Sequence, residues 1–157
     1  MPHVPSRLTA SALIAAALAA GALATGAPGA SAAGLTSSQL ATQLTPHRGG
    51  SVTVAVTANG VRPGTTARLR CDGGRAKGCP PRLRSAERTV RATRAGTLSL
   101  ASVLRGNRLR RGVKLVVQLQ DPGALFVRTT FTVGSNPLVR QQRSCQRADG
   151  SVGACPS

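Results

Sequence analysis

Short runs in which apolar and polar residues alternate recur through most of the chain. Val52, Val54 and Val56 alternate with small or polar residues, and Val113–Gln120 and Leu125–Val133 repeat the same period of two. Such a period puts successive side chains on opposite faces of a strand, so that one face meets a core and the other meets water. The alternation therefore predicts an all-β domain built from half-buried strands.

Turn residues separate these runs at short intervals. We predict further strands at Thr65–Cys71 and, with a poorer pattern, at Glu87–Thr93, and a strand that turns into one helical turn over Thr97–Leu104. Turns are expected at Asn59-Gly60, Pro63-Gly64 and Asp121-Pro122-Gly123, and the third of these joins the two best strands into a hairpin. Six or so short strands at this spacing predict a small immunoglobulin-like β-sandwich.

The first 32 residues have the three parts of a secretory signal peptide. Arg7 lies in a short polar start, Leu13–Ala24 is apolar, and Ala30-Ser31-Ala32 supplies the small residues of a cleavage site. The apolar stretch is too short and too rich in alanine to span a bilayer, which takes about 20 strongly apolar residues. We expect cleavage near Ala32 and a mature chain without a membrane span, secreted and either extracellular or associated with the cell wall.

The chain is divided accordingly. We assign a signal peptide to 1–32, a short linker to 33–50, the β-sandwich domain to 51–134, and a basic C-terminal segment with a disulfide loop to 135–157. Two interpretations of the linker stay open. Thr36 and Gln39 suit a capping box for a short helix over Ser37–Leu44, and a disordered segment fits equally well.

Four cysteines in an exported chain imply two disulfides, and four cysteines allow three pairings. The spacing favours the local pairs Cys71–Cys79 and Cys145–Cys155, because glycines within each interval let a short loop close. The intervals are longer than those of structural zinc sites, so no metal is expected.

Three segments resemble, in order and spacing, a group of uncharacterised exported actinobacterial domains. They are Arg70–Pro80, Leu104–Gly112 and Arg143–Pro156. In that group the middle segment leads into a valine-rich strand, a Pro-Gly turn and a Thr-Phe-Thr-Val strand, and Val113–Val133 is similar. The resemblance implies an immunoglobulin-like β-sandwich with two small disulfide loops, no assigned activity and no catalytic residue. Domains of the group are often repeated, whereas this chain holds a single copy.

The charge of the chain is strongly unbalanced. It has 21 lysines and arginines against four acidic residues, a net charge of +17. Arg7 is the only lysine or arginine before Ala33, so cleavage would leave a side-chain charge of +16. A GC-rich genome accounts for arginine in place of lysine but not for the scarcity of acids. Such a surface attracts polyanions by long-range steering and counterion release.

The basic residues fall into three groups, near 82–94, 105–114 and 140–147. We take the middle group as the candidate polyanion-binding residues: Arg105, Arg108, Arg110, Arg111 and Lys114. The arginine fork suits phosphate and sulfate. The only aromatic residues are Phe126 and Phe131, so recognition by stacking on bases or sugar rings is not expected, nor is sequence-specific binding of nucleic acid.

Groups that could perform catalysis are scarce. His47 is the only histidine after the signal segment, and Asp72, Asp121 and Asp149 lie in separate loops. Neither a serine–histidine–aspartate triad nor a carboxylate pair is indicated. We therefore expect no enzyme and no cofactor.

The expected function is a secreted, cationic, non-catalytic module that associates with anionic cell-envelope polymers. Two alternatives stay open. Exported actinobacterial subtilisin inhibitors are similar in size and also carry two disulfides, which suggests a secreted protease inhibitor, although their reactive loop is not recognisable in this sequence. The high positive charge also fits a cationic antibacterial protein, although no amphipathic helix is predicted.

Overall fold

The computed structural model describes residues 34–84, 86–104, 106–135 and 139–155. Its ten strands are β1 (Gln39–His47), β2 (Ser51–Val61), β3 (Thr66–Asp72), β4 (Arg88–Arg91), β5 (Gly96–Ser99), β6 (Arg108–Leu109), β7 (Lys114–Gln120), β8 (Val127–Val133), β9 (Val139–Gln146) and β10 (Val152–Gly153). The helical elements are one-turn helix α1 (Ala101–Leu104) and two 3₁₀ turns, Arg75–Lys77 and Pro81–Leu83. The expected all-β class is confirmed, and the predicted signal peptide lies outside the described residues.

The first sheet has the order β1-β2-β5, and β6 pairs with β2 on the same side as β5. Strand β5 pairs with the C-terminal half of β2, and β6 pairs with its N-terminal half. The two short strands thus act as one strand that α1 interrupts. This arrangement confirms the prediction of a strand followed by a helical turn over Thr97–Leu104.

The second sheet has the antiparallel order β10-β9-β8-β7-β3-β4. Strands β1, β2 and β5 correspond to the A, B and E strands of an immunoglobulin-type sandwich, and β4, β3, β7 and β8 to C′, C, F and G. The immunoglobulin-like sandwich is therefore confirmed. Strands β9 and β10 extend the second sheet beyond its usual last strand.

The core lies between the two sheets and consists of the residues that alternation placed inward. Buried positions on β2 are Val52, Val54, Val56 and Ala58, and those on β7 are Leu115, Val117 and Leu119. Phe131 and Val133 of β8 are buried against them. The hairpin of β7 and β8 around Asp121-Pro122-Gly123 forms as predicted.

The predicted helix or disordered linker at the N-terminus is wrong, because Gln39–His47 is a strand. Every residue of β1 pairs with β2, from Gln39 opposite Asn59 to His47 opposite Ser51. Leu40 and Leu44 are spaced for one face of a helix, but they also share one face of a strand. The cap does not form, because Thr36 accepts a hydrogen bond from the backbone N–H of Asp121 over 3.2 Å.

Two further predictions are corrected at the strand ends. Asn59-Gly60 is not a turn but lies within β2, where the pairing with β5 shifts register between Asn59 and Val61. Gly60 has a φ of 69° at this bulge, a conformation that glycine adopts without strain. The segment that we assigned outside the β-sandwich domain, 135–157, contributes a strand to the second sheet, because β9 pairs with β8 from Val139 to Cys145.

The disulfide predictions are confirmed. Cys71 is bonded to Cys79, and Cys145 to Cys155. The first disulfide closes the loop after β3. The second ties β9 to the segment that follows β10.

Candidate polyanion-binding cleft

The five predicted binding residues do not form one patch. Arg108 and Arg110 line a common cleft, whereas Lys114 lies on the outer face of the second sheet in a different groove. Arg111 is exposed in the turn before β7. Arg105 lies outside the described residues. The structure therefore keeps Arg108 and Arg110 together and places Lys114 apart from them.

The cleft that holds Arg108 and Arg110 also contains two arginines that the sequence grouping missed. Arg48 and Arg75 complete its lining, and the cleft measures about 360 Å³. We call these four arginines and the space between them the basic cleft. Arg48 comes from the turn between β1 and β2, and Arg75 from the first disulfide loop. The signal that could have found them is their position beside glycine pairs, Gly49-Gly50 and Gly73-Gly74, in turns at the same end of the sandwich.

Backbone contacts fix the loops that carry these arginines. The N–H of Arg110 donates to the carbonyl oxygen of Lys77 over 2.9 Å, which joins the segment after β6 to the disulfide loop. A Cβ added to Gly78 would overlap the carbonyl oxygen of Arg108, so the two backbones approach as closely as glycine permits. Arg108 also pairs with Thr53 of β2. The positions of Arg75, Arg108 and Arg110 are therefore set by one connected backbone framework.

Two more cations lie beside the basic cleft. Lys77 is in the same 3₁₀ turn as Arg75. Its Nζ lies close to Gly112, since a Cβ added to that glycine would be 3.3 Å away from it. Arg111 precedes Gly112 and is exposed. The β1–β2 turn, the disulfide loop and the β6–β7 segment thus bring six cations to one end of the sandwich.

The four acidic residues are engaged elsewhere. Asp72 binds Arg70 over 2.8 Å, and Glu87 lies 3.8 Å from Arg68. The hydrogen bond and charge of Asp72 raise the pKa of Arg70. Hydrogen bonding by the Ser151 side chain and by Ser151 N lowers the pKa of the Asp149 carboxyl. Asp121 is buried within a hydrogen-bonded network. In the part of the chain that the structure describes, none of these carboxylates neutralises the basic cleft.

The groove around Lys114 differs in its electrostatics. It lies on the outer face of the second sheet and contains both ion pairs, Arg68 with Glu87 and Arg70 with Asp72. Gln118 and Arg128 are joined there by a 3.3 Å hydrogen bond. Mixed charge and satisfied side chains make this groove a weaker site for an anion than the basic cleft.

Aromatic side chains do not contribute to the basic cleft. Phe131 is buried in the core. The guanidinium of Arg128 lies over the ring of Phe126, just before β8, at 5.3 Å from the ring centroid. His47, which we predicted to be in a linker, is the last residue of β1. Its Nε2 is hydrogen-bonded to the Thr53 hydroxyl over 2.8 Å. The cleft therefore offers charge and hydrogen-bond donors but no stacking surface.

Within the described residues, no three histidine, cysteine or acidic side chains lie close enough together to hold a metal ion. The same residues contain no helix that is both long and apolar enough to cross a membrane. The resemblance to exported actinobacterial domains stays a prediction. Comparison of the chain with family models, with curated proteins and with solved structures finds no match.

Proposed function

We propose that this protein is a secreted, non-catalytic module that binds anionic cell-envelope polymers through the basic cleft. The observation that carries the proposal is the convergence of Arg48, Arg75, Arg108 and Arg110 in one cleft. The four acidic side chains, all within the described residues, are engaged elsewhere.

The chemistry of the cleft favours phosphate or sulfate groups. Each guanidinium presents a planar fork of donors that matches two oxygens of such a group. Gathering four like charges without a counter-charge disfavours the folded state through mutual repulsion, and a bound polyanion removes that repulsion. Several arginines in one cleft suit repeated anionic groups along a polymer better than one isolated ion.

Export is part of the same proposal. Two disulfides form and persist in oxidising compartments such as the outside of the cell. The signal-peptide pattern before Ala33 supports the same location. Polymers of the cell wall would then be among the first polyanions that the protein meets.

The test is retention of the oxidised protein on purified cell walls, with and without their teichoic-type polymers, across a salt series. A cleft variant carries Arg48→Gln, Arg75→Gln, Arg108→Gln and Arg110→Gln. A matched control carries Arg62→Gln, Arg91→Gln, Arg94→Gln and Arg147→Gln, which remove the same charge from exposed positions at the other end of the sandwich.

We expect retention to require the polymers and to weaken steeply as salt rises. In the cleft variant, the slope of log affinity against log salt should fall by roughly one for each arginine that contacts a phosphate. The control should keep most of the slope. Equal losses in both variants would show that overall charge, and not the cleft, drives retention. Retention that is insensitive to salt would contradict the proposal altogether.

A further inference from the structure

On one side of the sandwich, the second sheet extends further than the first. Strand β1 is the last strand of the first sheet, and the second sheet continues beyond β8 into β9. Strand β10 pairs only with Cys145 and Gln146, so it leaves most of the outer edge of β9 unpaired. Among the described residues, strand β1 likewise pairs on one side only, with β2.

Side chains that belong to the core face are therefore exposed on this side. Gln141 pairs with buried Phe131, and Arg143 pairs with buried Thr129, which places both on the inner face of the second sheet. Both are nevertheless exposed. Leu44 pairs with buried Val54 on the inner face of the first sheet and is 40% exposed. No strand in the described part of the chain covers the inner faces of β1 and β9 here.

A cleft of about 160 Å³ lies between these two faces. Leu40 and the buried side chains Leu119 and Val127 form its apolar part, and Gln141 and Arg143 form its polar part. This cleft is separate from the basic cleft, which lies at the end of the sandwich that holds the β1–β2 turn. It combines a free strand edge, an apolar floor and a cation that points inward.

We propose that an extended, acidic segment of a partner protein binds here by adding a strand to β1. Its backbone would pair with the free edge over Gln39–Thr45, since Pro46 has no N–H to donate. Side chains on one face of the added strand would cover Leu44 and the exposed inner face of β9. An acidic side chain on that face would meet Arg143.

The charge of the site selects this occupant over a second copy of the chain. Arg143 points from β9 into the space that a strand added to β1 would cover, so an added strand without an acidic residue would desolvate this charge without pairing it. Two copies joined here would also bring together two chains with a net charge of +17 each. An added strand with an acidic residue on that face avoids this cost, because its carboxylate pairs with the guanidinium of Arg143.

The test uses the ¹⁵N-labelled, oxidised protein and three synthetic nine-residue peptides. The first alternates threonine with valine and carries two glutamates on its valine face. The second has lysines in place of the glutamates. The third keeps the glutamates but is N-methylated at alternate residues, which preserves the charge and blocks strand pairing. Amide chemical shifts locate each peptide, and labelled peptides give the dissociation constants.

We expect the glutamate peptide to shift and protect the amides of Gln39–Thr45. The lysine and N-methylated peptides should bind at least about tenfold more weakly, the size of one lost charge-assisted contact or of several lost backbone bonds. In Arg143→Glu, the preference between the glutamate and lysine peptides should reverse. The matched variant Arg94→Glu, with the same charge change at an exposed loop, should keep the original preference.

Three results would overturn the proposal. One is equal affinity for the glutamate peptide and its N-methylated form, which would mean attraction by charge alone. Another is a set of shifted amides around the basic cleft in place of β1. The third is no binding of the glutamate peptide by a protein whose spectrum shows the native fold.

Discussion

The carboxylate of Asp121 connects parts of the chain that are far apart in sequence. It is 4% exposed and accepts hydrogen bonds from the hydroxyls of Ser38 over 2.6 Å and Thr65 over 2.7 Å. The backbone N–H of Ser37 donates to its other oxygen over 2.9 Å. The residue thereby ties the segment before β1 and the β2–β3 turn to the β7–β8 hairpin. Burial acts to raise the pKa of Asp121, but the hydrogen bonds from Ser38, Thr36 and Thr65 together outweigh it, so the pKa lies well below its usual range.

Replacing this carboxylate should destabilise the protein. In Asp121→Asn the amide group cannot accept the hydrogen bonds of both carboxylate oxygens, so the N–H donors of Ser37 and Ser38, the second of them buried, lose a partner. We expect a loss of about 2–4 kcal/mol in the free energy of unfolding. Urea unfolding followed by circular dichroism measures it, because the chain has no tryptophan or tyrosine. The control Asp149→Asn, in an exposed turn, should cost less than about 0.5 kcal/mol; equal costs would contradict this role of Asp121.

The same residue predicts how stability depends on acidity. A carboxyl whose pKa is lower in the folded state stabilises the fold at pH values above its ordinary value of 3.8. As the pH falls below that value, the unfolded chain takes up the proton first and this stability is progressively lost. Urea midpoints between pH 7 and pH 2 should therefore decline below about pH 4 in the wild type. The decline should be shallower in Asp121→Asn, and an unchanged slope would assign the acid sensitivity to other groups.

Sequence patterns identify Asp121 as a turn residue but do not show its partners. Asp-Pro-Gly predicts the hairpin correctly, since those residue types favour a turn wherever they stand. The donors on Ser37, Ser38 and Thr65 lie 84, 83 and 56 residues away in the chain. Only the folded arrangement of strands brings them together, so no local pattern could have predicted the network.

The loop closed by Cys71–Cys79 is the element on which the basic cleft depends. It carries Arg75 and Lys77 and contacts the segment that carries Arg108 and Arg110. Gly78 has a φ of 88°, and a Cβ added to it would overlap the carbonyl oxygen of Arg108. The element therefore needs both the disulfide and the small residue to keep its place.

Gly78→Ala should separate the loop from β6. A methyl group there would overlap the Arg108 carbonyl, so we expect an overpacking cost of about 1–3 kcal/mol beyond the cost of the positive φ. Gly150→Ala is the matched control, because Gly150 has a similar positive φ, 84°, but no atom within 4 Å of an added Cβ. Unfolding free energies and polymer retention of the two variants are compared. Equal losses in the free energy of unfolding would show that the close approach at Gly78 adds nothing to the cost of the substitution.

The two disulfides should differ in their effect on binding. On a chain-entropy estimate, each short loop contributes roughly 2–3 kcal/mol, so removing either pair should lower stability by a similar amount. Only Cys71→Ala with Cys79→Ala releases Arg75 and Lys77, so only this variant should also bind polymers more weakly. Cys145→Ala with Cys155→Ala serves as the control, with both variants compared below their unfolding temperatures. Equal loss of binding would separate the basic cleft from the first loop.

Elements with regular alternation could be predicted, and those defined by their partners could not. The pattern of Val113–Gln120 reports burial on one face directly, and β7 forms there. Edge strands such as β1 and β9 bury little of either face, so their sequences carry mostly polar residues and no clear period. The same holds for the basic cleft. Arg108 and Arg110 are close in sequence and were predicted together, whereas Arg48 and Arg75 join them only through the packing of three loops.

Over the whole molecule, the acidic residues that could neutralise the arginines are unevenly distributed. The ion pairs that the structure describes lie on the outer face of the second sheet, while the basic cleft has no acidic neighbour. Self-repulsion at a net charge of +17 lowers the stability of the compact state. Simple salt should relieve that repulsion wherever it arises, but a polyanion that binds the basic cleft should act at much lower concentration.

Thermal unfolding with and without a polyanion separates these two effects. A ligand present at about 100 times its dissociation constant adds roughly 2.7 kcal/mol to the folded state. For a domain of this size that should raise the Tm by about 10 °C, measured by circular dichroism with purified teichoic-type polymer at low salt. The four-arginine cleft variant should lose most of this increase, whereas the control without Arg62, Arg91, Arg94 and Arg147 should retain it. Sodium chloride at moderate concentration should raise the Tm of the two variants by similar, smaller amounts, since they carry the same net charge and salt screens exposed charges generally. If the polymer raises the Tm of the cleft variant as much as that of the wild type, the polymer binds elsewhere on the surface.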